Sequence, residues 1–133
     1  MSFQRTHSGN QCNLLCTKCG VILTSAIKCA GRGATCKACE NKRKQQERKL
    51  RQIKRQLKLI KKLGGKCAHC SKEANEENMV CFDFHHIDKS TKIDSISELL
   101  SKSRPYNLIE EEADKCILLC ACCHRLHHHK HGY

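Results

Sequence analysis

The spacing of apolar positions changes along the chain, and the elements it predicts change with it. In residues 41–63 (NKRKQQERKLRQIKRQLKLIKKL), Leu50, Ile53, Leu57 and Ile60 recur at 3-4-3 spacing, which places them on one face of a helix. The stretch has no proline, is rich in helix formers, and runs into Gly64-Gly65, a C-terminal stop. Residues 80–87 come close to strict alternation and predict a strand; residues 116–119 predict a second, buried one. Ser95-Ile-Ser-Glu98 followed by Leu99-Leu100 has the form of a capping box opening a short helix, which Arg104-Pro105 should end.

Composition sets the size of the problem. The chain has 133 residues, a 39% hydrophobic fraction and 4% aromatics, enough for one ordinary domain or two very small ones. Very small domains bury too little surface to fold without staples. Thirteen cysteines offer them. The opening MSFQRTHSGNQ has no apolar segment of the secretory type, and no run of 18 apolar residues exists, so the expectation is a cytoplasmic protein without a membrane span. A reducing compartment favours thiolate–metal sites over disulfides, and the odd cysteine count fits poorly with complete pairing.

Eight of the 13 cysteines form four C-x-x-C pairs: Cys16/Cys19, Cys36/Cys39, Cys67/Cys70 and Cys120/Cys123. Each pair offers two sulfurs from one tight turn, half of a tetrahedral zinc site. Joining neighbours gives two structural Zn²⁺ ions, the first within a zinc ribbon whose pairs are 16 residues apart and the second across a gap of 49 residues. Redox chemistry is the competing reading of such pairs. Cys12 could compete as a ligand in the ribbon, and Cys122 could change places with Cys123. Cys29, Cys81 and Cys116 read as small hydrophobes or solvent-facing thiols.

Charge divides the chain unevenly. Residues 1–63 carry 16 Lys/Arg against 2 Asp/Glu, whereas residues 64–133 carry 9 against 11. A basic arm beside a nearly neutral module implies a polyanionic partner, with nucleic acid preferred over a membrane surface because the basic segment at 41–63 lacks the bulky Trp and Phe side chains that anchor interfacial helices. Lys42, Arg43, Lys44, Arg48, Lys49, Arg51, Lys54 and Arg55 are the candidate phosphate contacts. The apolar stripe among them has three readings: packing of a connector helix on a neighbouring module, support for a phosphate-tracking helix, or the seam of a homodimer. Few aromatics mean little stacking on single strands, so duplex DNA is the expected substrate.

Seven of the nine histidines fall in two clusters, His85-His86 and His124/His127/His128/His129/His131. On a helix opened by the Cys120/Cys123 turn, His124 shares a face with His127 and His128, and that face could meet the strand end carrying His85. Imidazoles suit transition metals, and Asp83 could add an oxygen. His85 and His86 should point to opposite sides of an extended strand, so one can bind metal while the other moves a proton. A metal-sticky tail would explain His129 and His131 but not the paired histidines upstream.

The run C-x-x-C, DFHHID-x-S-x-K and EEADKCILLCACCHRLHH resembles the zinc-containing HNH nucleases of phages and bacteria over about residues 64–131. CTKCG and CKACENKRK resemble the small zinc ribbon that precedes some phage HNH domains. The resemblance implies a small metal-stabilised α+β protein: zinc ribbon (1–40), basic linker helix (41–63) and HNH domain (64–133) with a ββα-metal core. It implies His86 as general base and His85, His124 and His127 as ligands of one catalytic divalent ion. His128 competes with His127, which is preferred because CHRLH resembles the common CHREIH form. That ion would be Mg²⁺, Mn²⁺, Ni²⁺ or Co²⁺, with histidines favouring the transition metals. The activity implied is a metal-dependent DNA endonuclease or nickase leaving 5′-phosphate and 3′-hydroxyl ends, working in a bacterial cytoplasm if phage-encoded. One departure stands out: relatives commonly read CANCH where this chain reads CACCH, so Cys122 replaces an asparagine. The alternative function is a non-catalytic zinc-dependent DNA-binding protein or an adaptor for phage packaging machinery.

Overall fold

A computed structural model describes residues 14–28 and 33–132. Cys12 and Cys29 lie outside the described residues. The chain is a small α+β protein whose described residues form four helices and two two-stranded sheets, in two compact units that divide between Lys49 and Leu50.

In the first unit, β1 (Leu14–Leu15) pairs antiparallel with β2 (Ile22–Leu23) around the first C-x-x-C turn. An isolated bridge joins Lys28 to Cys36, where helix α1 (Lys37–Lys62) begins. The helix therefore starts four residues before the expected position and carries Cys39 in its first turn. Residues 41–50 are all exposed, as their run of charges dictates.

The second half of α1 belongs to the second unit. Leu59 and Ile60 are fully buried, and Ile53 and Leu57 pack beside them. Burying a Leu or Ile side chain contributes about 1.5–3 kcal/mol, enough to hold a strongly cationic helix against a core. Of the three readings of the apolar stripe, intramolecular packing is the one these contacts support, and only Leu50 is left exposed. The helix stops in a Schellman turn: the Gly65 N–H donates to the Ile60 carbonyl (2.9 Å) and the Gly64 N–H to Lys61 (3.1 Å). Gly64 takes φ +99°, a conformation that costs a residue with a Cβ.

Strands β3 (Phe82–His86) and β4 (Cys116–Cys120) pair antiparallel, Phe82 opposite Cys120 and His86 opposite Cys116. The alternating run at 80–87 begins later than its pattern suggests because Met79–Cys81 form a 3₁₀ turn. Between the strands lie α2 (Ile96–Ser101) and α3 (Tyr106–Ala113). Ser95 caps α2 by accepting from the Glu98 N–H, whereas the reciprocal contact comes from Asp94, which accepts from the Ser95 N–H. Pro105, expected only to end a helix, also starts α3, which packs Ile109 and Ala113 against Leu59, Ile96, Leu100 and Cys116. Leu118 and Leu119 are adjacent and both buried, so each face of β4 is covered there. Helix α4 (Ala121–His131) follows β4 directly.

Candidate metal centre

Each C-x-x-C pair at 16/19 and 67/70 sits in the same turn. The first cysteine's N–H donates five residues on, to Val21 (2.8 Å) and Lys72 (2.9 Å), and its carbonyl accepts from Gly20 (2.8 Å) and Ser71 (3.0 Å). The residue after the second cysteine must be left-handed, and it is Gly20 (φ +76°) in one turn but Ser71 (φ +63°) in the other. A side chain there costs roughly 1–2 kcal/mol, partly offset by glycine's larger unfolded-state entropy. Ser71→Gly should therefore stabilise the protein by about 0.5–1 kcal/mol, read as a higher denaturant midpoint at unchanged slope.

The pairs at 36/39 and 120/123 each lie at a helix N-terminus, in α1 and α4. The neighbours combine as expected: Cys16, Cys19, Cys36 and Cys39 form one group that could hold a metal ion, and Cys67, Cys70, Cys120 and Cys123 another. Cys19 Sγ lies 3.7 Å from Cys36 Sγ, and Cys70 Sγ lies 3.7 Å from Cys120 Sγ. The edge of a tetrahedron with Zn–S bonds of 2.3 Å is about 3.8 Å, and a disulfide would bring the sulfurs to about 2 Å. Both donor sets thus fit zinc. Backbone N–H groups support the sulfurs, with Cys36 N 3.3 Å from Cys16 Sγ and Cys123 N 3.5 Å from Cys120 Sγ. For Cys67, burial pushes the thiol up, but backbone hydrogen bonds at Cys70, Cys120 and His69 outweigh it and bring it down to about 6.

Cys122 is exposed and stands outside both groups, which settles the Cys122/Cys123 alternative in favour of Cys123. Cys116 is buried in the core and Cys81 is exposed, each consistent with a plain structural role.

A third group combines His85 of β3 with His124 and His128 of α4, whose ring nitrogens lie within 4.8 Å of one another. The i, i+4 spacing brings His124 and His128 onto one face, and β3 supplies the third ring. His124 Nδ1 lies 3.0 Å from Asp83 Oδ2, and His128 Nδ1 lies 3.2 Å from the Gly132 carbonyl oxygen. Those oxygens only accept, so in the neutral rings the hydrogen belongs on Nδ1 and the lone pair on Nε2. The two Nε2 atoms face each other at 2.9 Å. Facing lone pairs repel, and a shared cation relieves the repulsion. Two nitrogens bound to one ion at 2.0–2.1 Å stand roughly 2.8–3.4 Å apart, from octahedral to tetrahedral geometry, so the donor set fits a transition metal. Burial first, then His127, His124, His128 and Lys89, pull His85 down to about 4, which leaves its ring neutral as a ligand must be.

Two expectations change here. His127, the preferred third ligand, is not in this group; His128 takes the place, because its Nε2 meets His124 Nε2 whereas the His127 ring sits among His85, His69 and His131. The His127 ring stacks edgewise on His85 (4.4 Å between centroids) and also meets His131 (4.8 Å) and His69 (6.1 Å). Asp83 serves behind His124 instead of joining the group.

His86 is buried and turns to a different partner, as its alternation with His85 requires. Its Nε2 lies 2.7 Å from Oε1 of Glu112, which is itself buried. His85, His86, His124 and His128 all line one pocket of about 370 Å³, together with Asp83, Lys89 and Lys92. Glu112, Lys89 and Lys92 received no role from sequence. The Glu112-Ala-Asp-Lys115 spacing is a signal for an ion pair on one turn, but not for the histidine that it meets.

Of the eight candidate phosphate-binding residues, Lys42, Lys44, Arg48, Lys49, Arg51 and Lys54 are exposed on α1. Arg43 is exposed too but pairs with Glu40 and Glu47, and Arg55 donates to the Arg104 carbonyl at 3.1 Å. No described helix is long and apolar enough to cross a membrane. No protein-family model, curated protein or solved structure matches the chain.

Proposed function

We propose that the protein is a metal-dependent DNA endonuclease or nickase of the HNH type, with β3, β4 and α4 as its ββα-metal core. The observation that carries this reading is the convergence of His85, His124 and His128 from a strand and a helix, with His86 beside them in one pocket. A binding-only zinc protein needs the two cysteine groups but has no use for a histidine group next to a buried, carboxylate-held histidine.

His85, His124 and His128 would hold a divalent ion, which when bound supplies Lewis-acid stabilisation of negative charge on a phosphate. Three imidazoles suit Mn²⁺, Ni²⁺ or Co²⁺ better than Mg²⁺. His86 accepts the proton of the attacking water. Lys89 and Lys92, on the same pocket wall, attract the phosphates on either side of the scissile one. The exposed basic residues of α1 contribute sequence-independent affinity for duplex DNA that weakens steeply with salt. The two cysteine groups would hold structural zinc ions outside the chemistry. A single such site cuts one strand per encounter.

Plasmid nicking across a series of divalent metals tests this. Wild type should cut, and His86→Ala should lose about 10²- to 10⁴-fold in rate. Equal cutting by both proteins would remove His86 from the mechanism. Salt-sensitive DNA binding by both, with no cutting in any metal, would leave the binding-only reading in its place.

A further inference from the structure

Glu112 is an ionisable side chain buried in the fold, with only 2% of its surface exposed. Its Oε1 accepts from His86 Nε2 at 2.7 Å and from the Ile93 N–H at 2.9 Å. Its Oε2 accepts from Lys115 Nζ at 2.8 Å, and Lys115 also donates to the Thr91 carbonyl at 2.9 Å. One carboxylate from α3 thus ties together β3, Lys115 just before β4 and the segment that follows Asp88.

We infer that Glu112 is the positioning residue for His86: it holds the ring in the Nε2–H tautomer and leaves Nδ1 as the atom that accepts a proton. This deepens the nuclease reading and rests on it. An ionised carboxylate has no hydrogen to give, so the hydrogen in the 2.7 Å contact must come from the imidazole. Burial opposes that charge, yet the bonds from Lys115, the Ile93 N–H and His86 outweigh it and hold the Glu112 carboxyl at about 2, so it stays ionised. A neutral ring that donates through Nε2 carries its lone pair on Nδ1. With Lys115 and the Ile93 N–H fixing the carboxylate, the ring is fixed in turn, and rotation that would exchange the nitrogens breaks a buried charge-assisted bond. The same carboxylate also holds part of the pocket wall. Through Ile93 N–H and, by way of Lys115, the Thr91 carbonyl, it anchors the 89–93 segment, whose Lys89 and Lys92 line the histidine pocket.

The test uses the full chain loaded with zinc, with ¹⁵N-labelled histidine and long-range proton–nitrogen correlation at neutral pH. In wild type, His86 should show a protonated Nε2 and an unprotonated Nδ1. In Glu112→Gln, whose amide can donate as well as accept, that preference should be lost. Nicking by Glu112→Gln should fall on the order of 10²-fold in kcat with KM within about threefold, and Glu112→Asp should recover part of the loss. A wild-type His86 with its hydrogen on Nδ1 overturns the inference outright, even if every Glu112 variant fails to fold. An unchanged tautomer and kcat in folded Glu112→Gln overturns it while leaving the nuclease reading intact. Absence of cutting by wild type in every metal instead removes the nuclease reading, and with it the catalytic half of the inference; the spectrum still decides whether Glu112 sets the tautomer.

Discussion

Replacing Cys120 with serine should unfold the second unit. Cys120 and Cys67 are both buried, and four sulfurs from two turns meet where β4 passes into α4. Structural zinc contributes an apparent 10–16 kcal/mol to small zinc-dependent domains, comparable to or larger than the 5–15 kcal/mol by which ordinary domains are stable. A serine at 120 removes one thiolate and leaves the other three crowded around a weakened centre. The expected results are loss of the cooperative thermal transition and, in the cobalt-substituted protein, loss of thiolate-to-metal absorption from one of two centres. Cys122→Ser is the control: its thiol is exposed and outside both groups, so folding should be unchanged. A Cys120→Ser protein that melts like wild type, or a wild type indifferent to a strong chelator, would deny the metal its structural role.

The second large effect separates two neighbouring histidines. His128→Ala should weaken divalent-ion binding at the histidine group by at least 10- to 100-fold and reduce nicking in proportion, because it deletes one of three donors. His127→Ala should change either quantity by less than about threefold. Calorimetric titration with Mn²⁺ after the cysteine sites are filled reads the binding directly, without reliance on activity. The opposite pattern, tight binding lost at 127 and kept at 128, would restore the CHRLH-based assignment.

These two experiments bear on residues that differed greatly in how legible they were. The cysteine groups could be read from spacing alone, because C-x-x-C fixes a turn and four sulfurs leave few ways to pair. The helix carrying His124 and both strands of the second sheet were also readable, from a knuckle that opens a helix and from runs with little helical character. The choice between His127 and His128 was not, since i+3 and i+4 share a face and both rings reach His85; what separates them is that His128 turns its Nε2 to His124. Helix α3 is not marked in the sequence, because its eight residues, YNLIEEEA, show a short acidic pattern whose only strong punctuation, Pro105, reads equally as an end or a beginning. Glu112 was invisible for a related reason. Its partners at 86, 93 and 115 come from three separate segments, and nothing local marks an acidic residue in an acidic run as the one that turns inward. The boundary at 40/41 moved because Cys36 and Cys39 open α1 themselves, and the second half of that helix is drawn into a core by Leu59 and Ile60.

Cys123 and His124 are consecutive residues in the first turn of α4. A thiolate centre and an imidazole centre therefore share one rigid rod, and whatever fixes the base of that rod also fixes the angle at which His124 and His128 meet His85. Filling the cysteine site would lower the ordering entropy left for the histidine site, so the two affinities are thermodynamically linked and reciprocal. On the proposed function, loading would then have a natural sequence: a thiophilic ion first, which sets the geometry, and a second ion of different character afterwards.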